Sequence, residues 1–199
     1  MSGFVTLAAQ YHERSKVQAS AGQRLIELLA PTTDSAILDV GCGSGHLTAR
    51  RRALTSGRVG GVGPSAEMIG QAQQRYGDQG ISFATAASEE LTFGGEFDAL
   101  FCNSAFQWFQ QPARSLSCFF QVLRPGGTVA LQAPATQDYC PNFVAAFEQC
   151  RNLPELADTL ATFQSPWFFL ETARAYQQLF EQAGFLVEQC WLEEQVQVC

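Results

Sequence analysis

Lysine is nearly absent from this chain of 199 residues: Lys16 is the only one. With a formal net charge of −7, the protein has no clustered lysine and arginine for gripping a phosphate backbone, which argues against nucleic acid as a partner. The single basic run, Arg50-Arg51-Arg52, reads as a solvated helix face. Histidine occurs only at His12 and His46, and no Cys-x-x-Cys pair occurs, so a zinc site has little support. The seven cysteines are scattered and odd in number, which suits free thiols in a reducing compartment. No apolar run approaches the length of a membrane span, and the first residues lack a charged-then-apolar signal segment. These absences point to a soluble cytoplasmic protein with no membrane or nucleic-acid partner.

What is present is ordinary globular material, 46% hydrophobic and 16% charged, enough for one domain with a sizeable core. One stretch organises it. Ile37, Leu38 and Val40 are apolar, as a strand covered on both faces should be, and Gly41, Gly43 and Gly45 follow at once before a helical pattern from His46. Strand, glycine turn and helix form the first half of a nucleotide-binding βαβ unit, in which glycine admits sharp turns and close ligand approach. The dinucleotide fingerprint Gly-x-Gly-x-x-Gly would need glycine at position 46, where His46 stands.

The remainder alternates in the same way. Helix is expected over residues 4–30 with a break near Ser15, its apolar stripe formed by Leu25, Ile26, Leu28 and Leu29. Strands are expected at 36–40, 58–62, 81–85, 97–102 and 128–132, with helices over 45–54 and from a Ser65 cap to Tyr76. Leu116, Phe119, Phe120 and Leu123 fall at i, i+3, i+4 and i+7 on one helix face, closed by Pro125-Gly126-Gly127. Residues 139–170 carry many aromatics and three prolines, and read as short helices over the sheet edge. A helix over 172–183 and a sixth strand over 185–192 complete the pattern. The expected architecture is α/β, a doubly wound, mostly parallel sheet with helices on both faces. It forms a single domain over 1–199, with 1–30 an N-terminal helical segment and 137–170 a helical cap insertion.

Asp39-Val40-Gly41-Cys42-Gly43-Ser44-Gly45 resembles the first motif of class I S-adenosylmethionine (SAM) methyltransferases. Gly61–Met68, Phe97–Ala105 and Val122–Thr128 resemble three further segments of that family in the family's own order. Tyr11, Gln18, the Asn103–Trp108 segment and Phe169–Ala173 with Ala183-Gly184-Phe185 are most similar to the group that methylates small carboxylic acids, trans-aconitate and malonyl-carrier-protein methyltransferases among them. The resemblance implies SAM as cofactor, S-adenosylhomocysteine (SAH) as product, and a small-molecule acceptor with a carboxylate oxygen as nucleophile. It places Tyr11, Gln18, Asp39, Gly41, Cys42, Gly43, Gly45, Gly63, Pro64, Ser65, Met68, Ala87, Ser88, Glu89, Asn103 and Ser104 around the cofactor. Met68 would lie on adenine and Asn103 would face the methyl donor through its backbone. Gln107, Trp108 and Trp167 would line the acceptor side. Cys42 is expected to be tolerated in the turn rather than act as a nucleophile.

Three departures from the family pattern stand out. Gly63 occupies the place of the acid that accepts both ribose hydroxyls; losing such charge-assisted bonds costs about 1.5–3 kcal/mol. Ala87 stands where an aspartate receives the adenine amino group, with Glu89 or Glu90 as a substitute. The family's seventh strand has no counterpart, so the sheet lacks it, borrows it from a partner across its open edge, or belongs to a shortened chain. Two other readings stay open at this stage: a degenerate SAM-fold partner subunit without catalysis, and a C- or N-methyltransferase for a quinone or amine.

Overall fold

The computed structural model describes residues 16–137, 141–161 and 166–193. The chain divides into two compact units, Met1–Ala133 and Pro134–Cys199. In the first unit, strands β1 (Ile37–Val40), β2 (Val59–Gly63), β3 (Ile81–Thr85), β4 (Phe97–Asn103) and β5 (Leu123–Gln132) make one sheet in the order β3-β2-β1-β4-β5. Every pairing is parallel, so the expected doubly wound architecture is the one observed. β1 is central: Asp39 lies opposite Gly61 on one side and Phe101 on the other. All four of its residues are buried, which explains its unbroken apolar run apart from Asp39.

Helices α1 (Lys16–Leu29), α2 (His46–Arg52), α3 (Ala66–Tyr76) and α4 (Pro112–Val122) flank the sheet. Right-handed crossovers put α2 and α3 on one face and α4 on the other. α1 joins the α2 face, where Leu25, Ile26 and Leu29 pack with Ile37, Ala99, Phe101 and Ala130, and Leu47 of α2 lies alongside. The stripe expected on α1 is narrower than its three leucines and one isoleucine suggest, because Leu28 is 45% exposed. At about 100° per residue, Leu25, Leu29 and Ile26 span one continuous arc and Leu28 falls outside it. α4 is corrected in the same way. Its buried face runs through Ser115, Leu116, Phe119 and Val122, which turns Phe120 outward to 51% exposure. Leu123 is not helical at all; it opens β5 opposite Phe97, and the register then shifts before Ala99 pairs with Thr128. The Pro-Gly-Gly turn expected to separate helix from strand is therefore a bulge inside β5.

The second unit holds α5 (Pro141–Arg151), α6 (Pro154–Ala161) and α7 (Ala173–Gln182). Thr172 caps α7 by accepting the Ala175 N–H at 3.2 Å. Tyr176 is buried and ties this unit internally, its hydroxyl donating to the Ala135 carbonyl and accepting from the Leu170 N–H. The sixth strand expected over 185–192 does not form; the segment is irregular, with Leu186 90% exposed. Its residues have strand-like composition, but a strand exists only where a neighbour supplies a ladder, and none is paired to it. The helical reading of residues 4–15 lies outside the described residues.

Candidate active site

In a parallel sheet of this order the strand order reverses between β1 and β4, and the connections leaving their carboxyl ends diverge to leave a crevice. The glycine turn lines that crevice. Gly41, Gly43 and Gly45 all have positive φ (76°, 55° and 80°), which non-glycine residues rarely adopt. Their surroundings separate them. A β-carbon on Gly41 would come within 2.3 Å of the Ala105 β-carbon, and one on Gly45 within 2.9 Å of both Ala72 and the Phe83 ring. These two glycines are required by the protein's own packing. A β-carbon on Gly43 would meet only the Met68 methyl, at 3.3 Å. Of the three glycines, Gly43 is thus the one faced only by the movable end of a flexible side chain. The Val62 carbonyl accepts both the Gly41 and the Cys42 N–H, which pins the turn to the end of β2.

Beside the turn, Ser65 caps α3 as expected, its hydroxyl accepting the Met68 N–H at 3.3 Å. That cap, with Pro64 before it, sets Met68 against Gly43. Gly63 has no positive φ, and a β-carbon there would find nothing nearer than Ile69 at 3.8 Å and the Cys42 nitrogen at 3.9 Å. A β-carbon would fit there. The Gly63 carbonyl accepts the Ala86 N–H and so joins the ends of β2 and β3.

Ala87 is extended, and Ser88 turns inward to share a hydrogen bond of 2.9 Å with buried Ser115 of α4. The Glu89 carboxylate accepts the Gln111 N–H at 3.1 Å and the Ser88 hydroxyl at 3.0 Å. Burial pushes this carboxyl up, but N–H bonds from its own backbone, Gln111 and Gln110 and the Ser88 hydroxyl outweigh it and the net shift is downward. Glu89 therefore serves the start of α4, where a negative charge is favoured.

Asp39 is taken up by contacts with α2. It is buried with Thr48, whose hydroxyl donates to it at 2.6 Å, and Arg51, whose guanidinium donates at 2.9 Å while lying 3.0 Å over the Phe101 ring. Burial raises the Asp39 carboxyl, and Arg51 and Thr48 draw it part of the way back. Burial likewise lowers the Arg51 guanidinium to about 10. The solvated face expected for Arg50–Arg52 fails at Arg51, which is 1% exposed. The sequence did carry a signal for this: a lone acid inside an otherwise apolar central strand demands a cation, and Thr48 and Arg51 share one face of the next helix. The Cys42 thiol is pushed up by burial and then by Asp39, so it is held as the inert thiol expected.

On the β4 side, Ala105 closes against Gly41 and Ser104 adopts φ 56°. Ser104 is held there by its N–H to the Gln132 carbonyl at 2.7 Å and by its hydroxyl to the Gln132 side chain at 3.2 Å. The Asn103 amide approaches α1 near Gly22. Gln107 is buried and Trp108 is 51% exposed, in the short turn Phe106–Trp108. Gln18 lies within α1, and Trp167 belongs to the second unit, where its ring stacks with Phe169. Tyr11 lies outside the described residues. Gly43 and Met68 face each other at the crevice, and residue 63 supplies no carboxylate there.

The sheet order, the turn and the crevice define a class I SAM-dependent methyltransferase fold, and residues 38–131 match the family model described as a methyltransferase domain. One step finer, the chain is similar to trans-aconitate 2-methyltransferase of Deinococcus radiodurans, 31% identical over 131 residues that cover 65% of this chain and 50% of that protein. It is also similar to malonyl-(acyl-carrier protein) O-methyltransferase of Acetivibrio thermocellus, 29% identical over 126 residues, 62% of this chain and 44% of that one. The chain thus spans about half the length of these curated relatives. Among solved structures, a Haloferax volcanii methyltransferase in complex with a methyltransferase activator matches with a TM-score of 0.70 at 19% identity, over 91% of this chain and 74% of that one.

Proposed function

We propose that this chain is a SAM-dependent methyltransferase of the cytoplasm that methylates a carboxylate oxygen of a small molecule. The observation that carries the reading is Gly43: of the three turn glycines it alone is not taken up by the protein's own packing, and it lies at the strand-order reversal. The similarity to two carboxyl-directed relatives supports the choice of acceptor. SAM would supply an electrophilic methyl group. The chain's part is to hold the methionine end along Gly41–Gly45 and the base against Met68, to present Asn103 and Ser104 from β4, and to exclude water. Tyr11 and Gln18 belong to the cofactor side of this proposal, and Gln107, Trp108 and Trp167 to the acceptor side. An ionised carboxylate needs no general base, in keeping with a crevice that presents no acid–base pair among the described residues. Self-association along the outer edge of β5 is part of the same proposal.

Calorimetric titration with SAH, and transfer of labelled methyl from SAM to a panel of small acids with Gly43→Trp as control, test it. The expected result is micromolar binding and transfer by the parent chain alone; equal counts from both proteins would overturn it. A second reading, a partner subunit without catalysis, has a specific basis: Gly63 offers no carboxylate and Glu89 is engaged with α4. No heat at high SAH would favour that reading.

A further inference from the structure

A cleft of about 470 Å³ runs between residues 89–92 and α4, and neither the glycine turn nor Met68 lines it. Its volume falls within the ~300–1,000 Å³ typical of small-molecule sites. The α4 wall is Arg114, Ser117, Cys118 and Gln121, spaced i, i+3, i+4 and i+7 and therefore on one stripe of the helix. Across from them, Leu91 brings a buried apolar side chain. The Glu89 carbonyl holds two of these groups: it accepts Arg114 Nε at 3.1 Å and the Cys118 thiol at 3.4 Å. Tied at Nε, the guanidinium keeps two terminal nitrogens that make no hydrogen bond among the described residues. A guanidinium fixed in this way is a two-pronged donor suited to a carboxylate. Glu90 lines the same cleft, and neither it nor Arg114 has an ion pair among the described residues.

We propose that this cleft binds a free amino acid with an apolar side chain. Its carboxylate meets the Arg114 fork, its ammonium the Glu90 carboxylate, and its side chain Leu91. A simple anion would face Glu90 as well as Arg114, and a simple cation Arg114 as well as Glu90; a ligand carrying both signs answers both. Arg114 and Glu90 are exposed, so each contact is weak by itself and selectivity comes from making the two together. The site stands apart from the methyltransferase reading above.

The test uses the full chain and reads the cleft through Cys118. Alkylation of Cys118 by iodoacetamide is followed by peptide mass spectrometry, with the exposed Cys190 of the second unit as internal control. Leucine is compared with isocaproate, which lacks its ammonium, and with isoamylamine, which lacks its carboxylate. Leucine is expected to slow alkylation of Cys118 but not of Cys190, with saturation, at concentrations about fivefold below either analogue. In Arg114→Gln leucine should protect no better than isoamylamine, and in Glu90→Gln no better than isocaproate. Equal protection by all three compounds in the parent chain overturns the proposal, as does equal slowing of Cys118 and Cys190. Absence of protection up to the solubility limit of leucine overturns it as well, and none of these three outcomes depends on a variant.

Discussion

At the scale of the residue, the glycine turn divides its work unevenly. Gly41 and Gly45 serve packing, Gly43 serves approach. Gly41→Ala combines a left-handed backbone cost with a clash against Ala105 and should lower stability by about 2–5 kcal/mol. Gly43→Ala carries only the backbone part, about 1–2 kcal/mol. Chemical denaturation of the two variants should rank them in that order. Gly63 is the converse case, since a β-carbon there meets nothing closer than 3.8 Å. Gly63→Asp should fold normally and tighten SAH by about tenfold or more in a titration, if the ribose hydroxyls lie where the fold puts them. Arg51 belongs to this scale as well. Two of its guanidinium nitrogens have no partner among the described residues, so the ion pair with Asp39 is an imperfect one. Removing the cation alone leaves a buried carboxyl uncompensated, and Arg51→Ala should lose about 3–5 kcal/mol in a denaturant melt. Asp39→Asn combined with Arg51→Met should recover much of that loss.

At the scale of the element, one carboxylate ties together three strands. Asp98 of β4 accepts the N–H of Ala36, just before β1, at 2.7 Å and the Arg124 guanidinium of β5 at 2.8 Å. The Ala36 N–H and then Arg124 hold its carboxyl below the ordinary value of 3.8. A depressed carboxyl stabilises the fold when ionised, so the contribution is present above that ordinary value and is lost as pH falls through the lowered one. Asp98→Asn should therefore melt earlier than the parent at neutral pH, and the gap should close on acidification below pH 3.8; a gap constant across that range would show the tie is not electrostatic. The element errors in the sequence reading have a common source. Apolar spacing alone predicts Phe120 and Leu28 inward, whereas the sheet chooses an arc and the surplus apolar residues are left outside it. The segment 185–192 has the composition of a strand, but composition cannot supply a ladder partner.

For the whole molecule, the sheet stops at β5: among the described residues no strand pairs with its outer edge, although β5 is the longest strand at ten residues. Unpaired edges of that length invite a further strand. Sedimentation velocity is expected to detect a dimer whose population rises with protein concentration; a strictly monomeric boundary throughout would remove self-association from the proposal.

What the amino-acid order determined by itself was everything carried by local chemistry: a buried parallel strand at Ile37–Val40, three glycines in positive φ, a serine cap at Ser65, and the alternation that yields a doubly wound sheet. Backbone conformation and hydrophobic periodicity depend on near neighbours, and near neighbours are written in the chain. Which glycine faces only a flexible side chain, that Glu89 is spent on α4, that Arg51 is buried over the Phe101 ring, and that one oxygen of Gln107 has no partner among the described residues were decided only by the tertiary structure. Each depends on a contact between segments far apart in sequence, where packing and desolvation select one partner among many that composition allows.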